Sequence, residues 1–431
     1  MSSVGPQRFH VETLGCPKND VDSDKIIGQL LADGMEPTAD PSDADLIVVN
    51  TCAFIEPARR ESIDTVLALG DRRRDGARLV VTGCMAERYG DELAAALPEV
   101  DAVIGFSEPV SAPSRRTIPV SAAPVPAFDL LNLPRPRSSR PWAYVKIAEG
   151  CDRSCGFCAI PSFRGPQRSR DIASIVEEAR ATGAREIVLV AQDLAAYGRD
   201  RPDELGSGSI VGLVEAVSDV ADWVRLLYLY PSDLNEELLE AIVATGVPYF
   251  DLSLQHVNRD LLRRMRRWGD DTRFRDRIER IRKIAPEAAL RSNFIVGYPG
   301  ETEQHHDDLL SFVEDMQLDW CGFFEFSPEE GTAAIDLDGH VPPELIAERI
   351  GELRSLQDDI TASRRDDLIG TTQHVLVDSV GIARSHREAP EIDGVIHVDP
   401  ALAVGEFVDV HVVDALGPDL VADGANAEVD T

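Results

Sequence analysis

The segment Cys151-Asp-Arg-Ser-Cys155-Gly-Phe-Cys158 places three cysteines on one short stretch of chain. Three thiolates with this Cys-x3-Cys-x2-Cys spacing can each hold one iron of a 4Fe-4S cluster, which leaves the fourth iron free to bind a small molecule. A structural zinc site needs four closed ligands, usually from two Cys-x2-Cys arms, and a redox dithiol needs a single Cys-x2-Cys pair. Since the segment contains no fourth Cys or His, the spacing favours an open iron-sulfur site over both alternatives.

Four short apolar runs precede this segment and predict the strands of an α/β domain. The runs alternate with amphipathic segments of helix length, such as Ser62–Leu69. This alternation is typical of a parallel sheet with crossover helices. We therefore expect a parallel sheet within residues 1–112, with strands at Phe9–Leu14, Asp45–Val49, Arg78–Thr82 and Asp101–Ile104.

Three further cysteines follow the first three of these predicted strands. Cys16, Cys52 and Cys84 are separated by 36 and 32 residues, about one strand-helix unit in each case. Ligands bind at the carboxyl edge of an open parallel sheet, where each of the three cysteines is expected. Three thiolates that converge there can hold a second cluster, whereas the alternative is three unrelated buried cysteines. Repetition at the same point of three successive units favours the second cluster.

The second half of the chain predicts a partial barrel and then a small β-barrel. Residues 113–137 are rich in Pro, Ser and Arg and predict a linker. Six strand-helix units follow within residues 138–368, and they predict an open relative of the eight-fold barrel, with its active site at the carboxyl ends of the strands. Residues 336–368 predict a polar helix, and residues 369–431 predict a small antiparallel β-barrel. The expected strands are Ala143–Ala148, Glu186–Val190, Val224–Leu229, Tyr249–Leu254, Leu290–Val296 and Cys321–Phe326 in the first region, and His374–Val380, Gly394–Val398 and Glu406–Val412 in the second.

Composition limits the range of partners. The net charge of -33 repels phosphate backbones and suits a basic partner, although solubility alone also explains it. No apolar run reaches the ~20 residues of a membrane helix, and residues 1–10 lack an apolar signal segment. We therefore expect a cytoplasmic protein with no membrane contact, in which clustered thiols bind metal more often than they form disulfides.

Both cysteine triads and the trailing β-barrel resemble the radical S-adenosylmethionine methylthiotransferases over nearly the whole chain. The resemblance implies an N-terminal methylthiotransferase domain over residues 1–112, a radical S-adenosylmethionine domain over 138–368 and a TRAM domain over 369–431. The matching motifs are Thr13-Leu-Gly-Cys-Pro-Lys-Asn19 with Val21-Asp-Ser23, Asn50-Thr-Cys52, Thr82-Gly-Cys84, the segment from Cys151 through Cys158 to Ile160-Pro-Ser-Phe-Arg-Gly165, and Gly297-Tyr-Pro-Gly-Glu-Thr302.

Two branches of that family differ in substrate. One modifies an adenosine of transfer RNA, and the other, RimO, modifies an aspartate of ribosomal protein S-twelve. Segments such as Ile160-Pro-Ser-Phe-Arg-Gly165 and Ala389-Pro-Glu-Ile-Asp-Gly394 resemble the RimO branch more closely. Residues 371–431 carry 12 acidic and 2 basic side chains, a balance of -10, and such a module repels RNA and attracts a basic protein. We expect the basic ribosomal protein S-twelve as substrate and no RNA contact through this module, with transfer RNA as the alternative.

The resemblance also implies the cofactors. Cys151, Cys155 and Cys158 would hold a 4Fe-4S cluster that binds S-adenosylmethionine, and Cys16, Cys52 and Cys84 would hold a second, auxiliary 4Fe-4S cluster that carries sulfur. One electron from a reducing donor would yield a 5′-deoxyadenosyl radical, which takes hydrogen from the aspartate β-carbon, and a second S-adenosylmethionine would supply the methyl group. A non-catalytic iron-sulfur sensor or assembly factor is the alternative of another class, and open coordination at both sites argues against it.

Seven further residues are candidates for contact with S-adenosylmethionine because they lie on the cysteine segment or near predicted strands. Each has a structural alternative: Phe157 can fill loop space, the glycines can form a simple turn with Glu301 as an early helix residue, and Arg291 can form a surface ion pair. A structural role is also expected for His256, and a buried core thiol for Cys321. The seven candidates are Phe157, Gln192, Asp193, Arg291, Gly297, Gly300 and Glu301.

Overall fold

The computed structural model describes residues 6–111, 128–202 and 209–425. They form two compact units. The first contains the described residues up to Arg137 together with 148–152 and 158–170, and the second contains residues 138–147, 153–157 and the described residues from Asp171 onwards. Most of the predicted linker, residues 112–127, lies outside the described residues.

A parallel sheet forms the centre of the first unit. The order of its strands is β2-β1-β3-β4-β5, and every pair in it is parallel. The expected strands are confirmed, and the described part of the chain adds the short edge strand β2. The strands are β1 Arg8–Thr13, β2 Glu36–Pro37, β3 Leu46–Thr51, β4 Arg78–Gly83 and β5 Ala102–Val103, and the helices between them are α1 Pro17–Ala32, α2 Glu56–Arg72 and α3 Cys84–Ala96.

Helices cover both faces of this sheet, which explains why its strands are continuous apolar runs. All six residues of the central strand β3 are buried. Its side chains alternate between two cores, with Ile47 and Val49 in one cluster and Leu46 and Val48 in the other. The rest of the first unit includes an antiparallel pair of two-residue strands and a short helix between them, namely β7 Ala148–Glu149, β8 Arg168–Ser169 and α4 Ile160–Arg164.

Six parallel strands in chain order confirm the predicted open barrel in the second unit. Strands β6, β9 and β10 pair as one sheet and β11, β12 and β13 as another, and a parallel bridge between Leu229 and Leu252 lies between them. The strands are β6 Trp142–Lys146, β9 Glu186–Val190, β10 Trp223–Leu226, β11 Tyr249–Gln255, β12 Ala289–Val296 and β13 Trp320–Glu325. The helices are α5 Ile172–Thr182, α6 Ser209–Ser218, α7 Glu236–Ala244, α8 Arg259–Arg264, α9 Asp271–Ile284 and α10 Glu303–Met316.

A long helix and a closed β-barrel follow in the same unit. The helix α11 spans Pro343–Asp366, inside the predicted polar region. Five strands of the described chain close the barrel in the order β14-β15-β16-β18-β17. They are β14 Thr372–Ser379, β15 Ile382–Arg384, β16 Ile396–His397, β17 Phe407–Leu416 and β18 Asp419–Ala422.

Residues 384–393 of the β-barrel pack against the amino-terminal end of the six parallel strands. Arg225 in β10 donates to Glu186, the first residue of β9, at 2.7 Å, and to the backbone oxygen of His386 at 2.9 Å. Arg384 pairs with the same Glu186 at 2.8 Å, and all three of these charged side chains are buried. The amino-terminal end of the strands is therefore closed by the chain itself, and their carboxyl ends remain for the ligand.

Candidate functional site

Cys16, Cys52 and Cys84 each follow the carboxyl end of a strand in the first unit. Cys16 is the N-cap residue of α1 just after β1, Cys52 comes directly after β3, and Cys84 follows β4 as the first residue of α3. Because β1, β3 and β4 are adjacent and parallel, the three cysteines lie at one edge of the sheet. The expected placement at the strand ends is what the structure shows.

The three thiols are close enough to affect one another. Burial, with smaller contributions from the neighbouring Cys16 and Cys84, raises the pKa of Cys52 to about 11. Gly15 has a φ of +104°, and a Cβ there would lie 3.1 Å from the sulfur of Cys52, so a glycine is required for the first loop to approach the second. Thiols with raised pKa values are protonated at neutral pH, so a metal must displace their protons in order to bind.

The chemistry of this donor set fits an iron-sulfur cluster. Within the described ranges, no group of three His, Cys, Asp or Glu side chains is arranged to hold a single metal ion. In a cluster, each thiolate binds a different iron, so the thiols of such a site stand further apart than the ligands of one ion. Three cysteines at one sheet edge match that requirement, and their role as ligands stays a prediction.

Sequence reasoning missed two polar residues beside these thiols. Asn19 is fully buried and donates to the backbone oxygens of Leu14 and Thr51, so it ties the first cysteine loop to the second. The Arg164 guanidinium donates to the sulfur of Cys84 at 2.9 Å. Arg164 belongs to the motif Ile160-Pro-Ser-Phe-Arg-Gly165, and a charged residue inside a motif that otherwise supplies turns and apolar contacts was the signal that could have found it.

The segment that carries Cys151, Cys155 and Cys158 is held by backbone hydrogen bonds. In the first unit, the Cys151 N–H donates to the backbone oxygen of Gly165 at 3.1 Å. In the second unit, the N–H of Gly156 donates to the backbone oxygen of Met265 at 2.8 Å, and the Arg267 guanidinium donates to the sulfur of Cys155 at 3.5 Å. An N–H donor can also donate to a sulfur that binds iron, so the surroundings of Cys155 suit a ligand.

Arg153 fixes the same segment by its charge. Its guanidinium pairs with Asp193 and Asp233 and lies 3.8 Å from the centre of the Tyr230 ring. The structure thus gives Asp193 a partner on the cysteine segment itself, just beyond the end of β9. Gln192 precedes it, and Phe157 is half-buried between two of the cysteines. Contact of Phe157, Gln192 or Asp193 with S-adenosylmethionine stays a prediction.

Gly297, Gly300 and Glu301 form a turn between β12 and α10. Gly297 has a φ of +82°, and a Cβ there would lie 2.4 Å from Cδ1 of Ile346, so close packing against α11 requires the glycine. The Glu301 carboxylate accepts from the N–H of Gly297 at 2.7 Å and from Arg349 at 2.9 Å. Glu301 precedes Thr302, the N-cap residue of α10, so it lies outside the helix rather than in its first turn. These contacts support the simple turn, and cofactor contact by the three residues stays a prediction.

Arg291 lies near the amino-terminal end of β12 and points to the β-barrel. Its guanidinium pairs with the fully buried carboxylate of Asp393 at 2.5 Å. Tyr249 donates to the other oxygen of that carboxylate at 2.6 Å. The expectation of a surface ion pair was wrong, because the pair is buried at the base of the strands. Its place there makes Arg291 the weakest of the seven cofactor candidates, although its contact with S-adenosylmethionine also stays a prediction.

Two remaining residues behave as structural groups. His256 is fully buried, its Nδ1 accepts from the N–H of Asn258 at 3.0 Å, and burial lowers its pKa to about 3. Burial also raises the pKa of the Cys321 thiol, which keeps it protonated. In the described parts of the chain, no helix has the length and apolar character needed to cross a membrane.

Comparison with known proteins identifies the family. Three family models match, described as uncharacterized protein family UPF0004 over residues 8–105, the radical SAM superfamily over 145–313 and the TRAM domain over 369–424. A ribosomal protein uS12 methylthiotransferase RimO of Cutibacterium acnes is 41% identical and covers 97% of this chain and 98% of the relative. The chain belongs to the RimO family of radical S-adenosylmethionine methylthiotransferases.

A second curated relative agrees with this assignment. The RimO protein of Moorella thermoacetica is 42% identical over 94% of this chain and 96% of its own. A solved radical S-adenosylmethionine methyltransferase, TsrM of Kitasatospora setae, is 13% identical, with a TM-score of 0.47 over 88% of this chain and 80% of the other. The RimO family belongs to the radical S-adenosylmethionine enzymes, whose cofactors are an iron-sulfur cluster and S-adenosylmethionine, so the predicted family and enzyme class are confirmed.

Proposed function

We propose that this enzyme adds a methylthio group to the β-carbon of an aspartate in ribosomal protein S-twelve. The observation that carries the proposal is a set of three cysteines at the sheet edge, two of them buried, in a chain that is 41% identical over 97% of its length to a protein named as a ribosomal protein uS12 methylthiotransferase. A second triad on one short segment adds the spacing of a radical cluster. Two three-thiol sites in one chain suit a reaction that needs both a radical source and a sulfur carrier.

Six cysteines would hold the two clusters. When bound, the first cluster supplies an electron to S-adenosylmethionine for radical formation, the second supplies sulfur, and another S-adenosylmethionine supplies the methyl group. The protein holds the cysteine segment through the ion pairs of Arg153 with Asp193 and Asp233, and Arg267 donates to the sulfur of Cys155. The ligands would be Cys151, Cys155 and Cys158 for the first cluster and Cys16, Cys52 and Cys84 for the second.

The surface charge of the β-barrel supports a basic protein as substrate. Both of its basic residues, Arg384 and Arg387, are turned inward, where Arg384 pairs with Glu186 and Arg387 with Asp319. The described surface of the barrel therefore presents carboxylates without exposed Lys or Arg side chains. Such a surface repels nucleic acid and attracts a cationic protein. The exposed acids are Glu391, Glu406, Asp409, Asp414 and Asp423.

The substrate assignment is tested by the mass of ribosomal protein S-twelve. The protein from a strain without this gene should lack one methylthio group, and the purified, reduced enzyme with S-adenosylmethionine should restore it. Transfer RNA from the same strain should keep its methylthio groups. Loss of those groups, with an unchanged mass of the ribosomal protein, would assign the enzyme to transfer RNA instead.

The cluster assignment is tested by anaerobic analysis of iron and sulfide. Cys151→Ala and Cys84→Ala should each remove about half of the bound iron and sulfide, because each removes a ligand of a different cluster. Cys321→Ala is the matched control and should keep all of the iron and sulfide, since Cys321 lies in β13 and belongs to neither triad. Stoichiometric zinc in place of iron would contradict the assignment, and failure of the reduced protein to cleave S-adenosylmethionine would favour a non-catalytic iron-sulfur sensor.

A further inference from the structure

One arginine links the segment after the first cysteine triad to a ligand of the second. Arg164 ends the short helix α4, six residues after Cys158. One of its terminal nitrogens, Nη2, donates to the sulfur of Cys84 at 2.9 Å and to Oδ1 of Asn19 at 3.0 Å. All these residues lie in the first unit. The sequence offers no pattern for this contact, because 80 residues separate Arg164 from Cys84.

The guanidinium stays charged although it is buried. Only 3% of the Arg164 side chain is exposed. The other terminal nitrogen, Nη1, pairs with Glu149 at 2.9 Å and with Asp22 at 3.3 Å, and the guanidinium carbon lies 4.1 Å from the centre of the Phe106 ring. Burial opposes the charge, but the charges of Glu149, Cys84 and Asp22 outweigh it and raise the pKa of Arg164 above its usual value. A permanent cation therefore faces the sulfur of Cys84.

The hydrogen bond from Arg164 does not use the proton of Cys84, because Arg164 is the donor. The sulfur of Cys84 also lies 3.7 Å from the Asn19 oxygen, to which the thiol can donate. A thiolate bound to iron has no proton to donate, whereas it still accepts from Arg164. Hydrogen bonds to ligating sulfurs help to set the reduction potential of an iron-sulfur cluster. A positive donor favours the state with the extra electron, because that state places more negative charge on the sulfur.

We propose that Arg164 is a positioning residue that donates to the Cys84 ligand of the auxiliary cluster and raises the reduction potential of that cluster. The inference rests on the proposed function, since it needs a cluster at Cys16, Cys52 and Cys84. It assigns a role at the auxiliary site to the arginine of α4: Glu149 and Asp22 hold Nη1 of the guanidinium so that Nη2 contacts the sulfur of Cys84.

The test measures the auxiliary cluster alone in the full-length chain. Replacing Cys151, Cys155 and Cys158 together by Ser leaves one cluster, whose potential is followed by electron paramagnetic resonance during a redox titration. Arg164→Lys in that background keeps the charge for Glu149 and Asp22 but removes the nitrogen that reaches Cys84. At a fixed solution potential, we expect the ratio of reduced to oxidised cluster to fall about tenfold, which is about 59 mV for a one-electron couple.

Two further variants make the result decisive. Arg168→Lys is the matched control, because Arg168 is half-exposed and pairs with Asp129 at 2.8 Å. The reduction potential of the auxiliary cluster in this variant should equal that in the background. Arg164→Gln combined with Glu149→Gln removes one buried charge of each sign and should lower the potential in the same direction as Arg164→Lys. If a folded Arg164 variant with full iron content keeps the background potential, the inference is overturned. If the background itself binds no iron, the auxiliary cluster and the proposed function fall first, and the inference with them.

Discussion

Replacing Arg291 separates a structural role for this residue from contact with S-adenosylmethionine. Arg291→Gln removes the positive charge that pairs with Asp393 at the base of the six strands. Asp393 keeps the hydrogen bonds from Tyr249 and from the N–H of Ala389 at 2.6 and 2.9 Å. Its carboxylate is nevertheless left buried without a countercharge, since its side chain has no exposed surface.

Arg291→Gln should therefore lower the stability of the folded protein. Removing one partner of a buried ion pair lowers the free energy of unfolding by about 3–5 kcal/mol. At about 2 °C per kcal/mol for a large domain, the thermal midpoint should fall by about 6–10 °C. The affinity for S-adenosylmethionine should not change, because the side chain points to the β-barrel.

The assay combines calorimetry of the reconstituted enzyme with titration of S-adenosylmethionine at a temperature where every variant is folded. Asp393→Asn added to Arg291→Gln should recover part of the midpoint, because the unpaired charge is then gone. Arg280→Gln is the control, since Arg280 pairs with Glu236 on the surface and the change should leave the midpoint where it was. Weaker binding of S-adenosylmethionine by Arg291→Gln at an unchanged midpoint would refute the structural role.

Three further predictions concern the same unit. His256 has a pKa of about 3 in the folded protein against an ordinary 6.5. The free energy of unfolding should therefore fall by up to about 1.4 kcal/mol per pH unit as the pH decreases from 6.5 to 3, because only the unfolded chain takes up the proton. Urea unfolding of the metal-free protein should show a shallower fall for His256→Asn. Gly297→Ala should cost about 1–3 kcal/mol through its contact with Ile346, and in the same assay Ile346→Ala should cost less in that variant than in the wild type. Asp193→Asn should loosen Arg153 and lower the iron retained after gel filtration, whereas equal retention would show that Asp233 is sufficient.

The fold could be predicted from the sequence where strands are long and apolar. The predicted strand Glu186–Val190 has its observed bounds, because its apolar run Ile187–Val190 lies between segments of helical pattern. The two-residue strand Glu36–Pro37 and the short barrel strands Ile382–Arg384 and Asp419–Ala422 were missed. Strands this short have no measurable alternation, and only pairing with distant neighbours defines them.

The cysteines could be placed from spacing alone, whereas the charged residues around them could not. A cysteine after each of three successive parallel strands must reach one edge of the sheet, so Cys16, Cys52 and Cys84 required only the strand-helix rhythm. The partners of Arg164 and Arg291 depend on which distant segments meet in space. Arg291 and Asp393 are 102 residues apart, and no local pattern joins them.

The buried ion pairs between residues 384–393 and the amino-terminal end of the strands limit how the C-terminal module can be studied. A chain truncated before Thr371 would lack Arg384, which pairs with Glu186, and Asp393, which pairs with Arg291. The truncation would also expose the amino-terminal end of the strands to water. Loss of turnover in that truncation would report damage to the catalytic domain rather than failed recognition of the substrate. Replacing exposed carboxylates such as Asp409 and Asp414 by lysine reverses the surface charge and leaves these ion pairs intact. Such variants are the better test of what the module recognises.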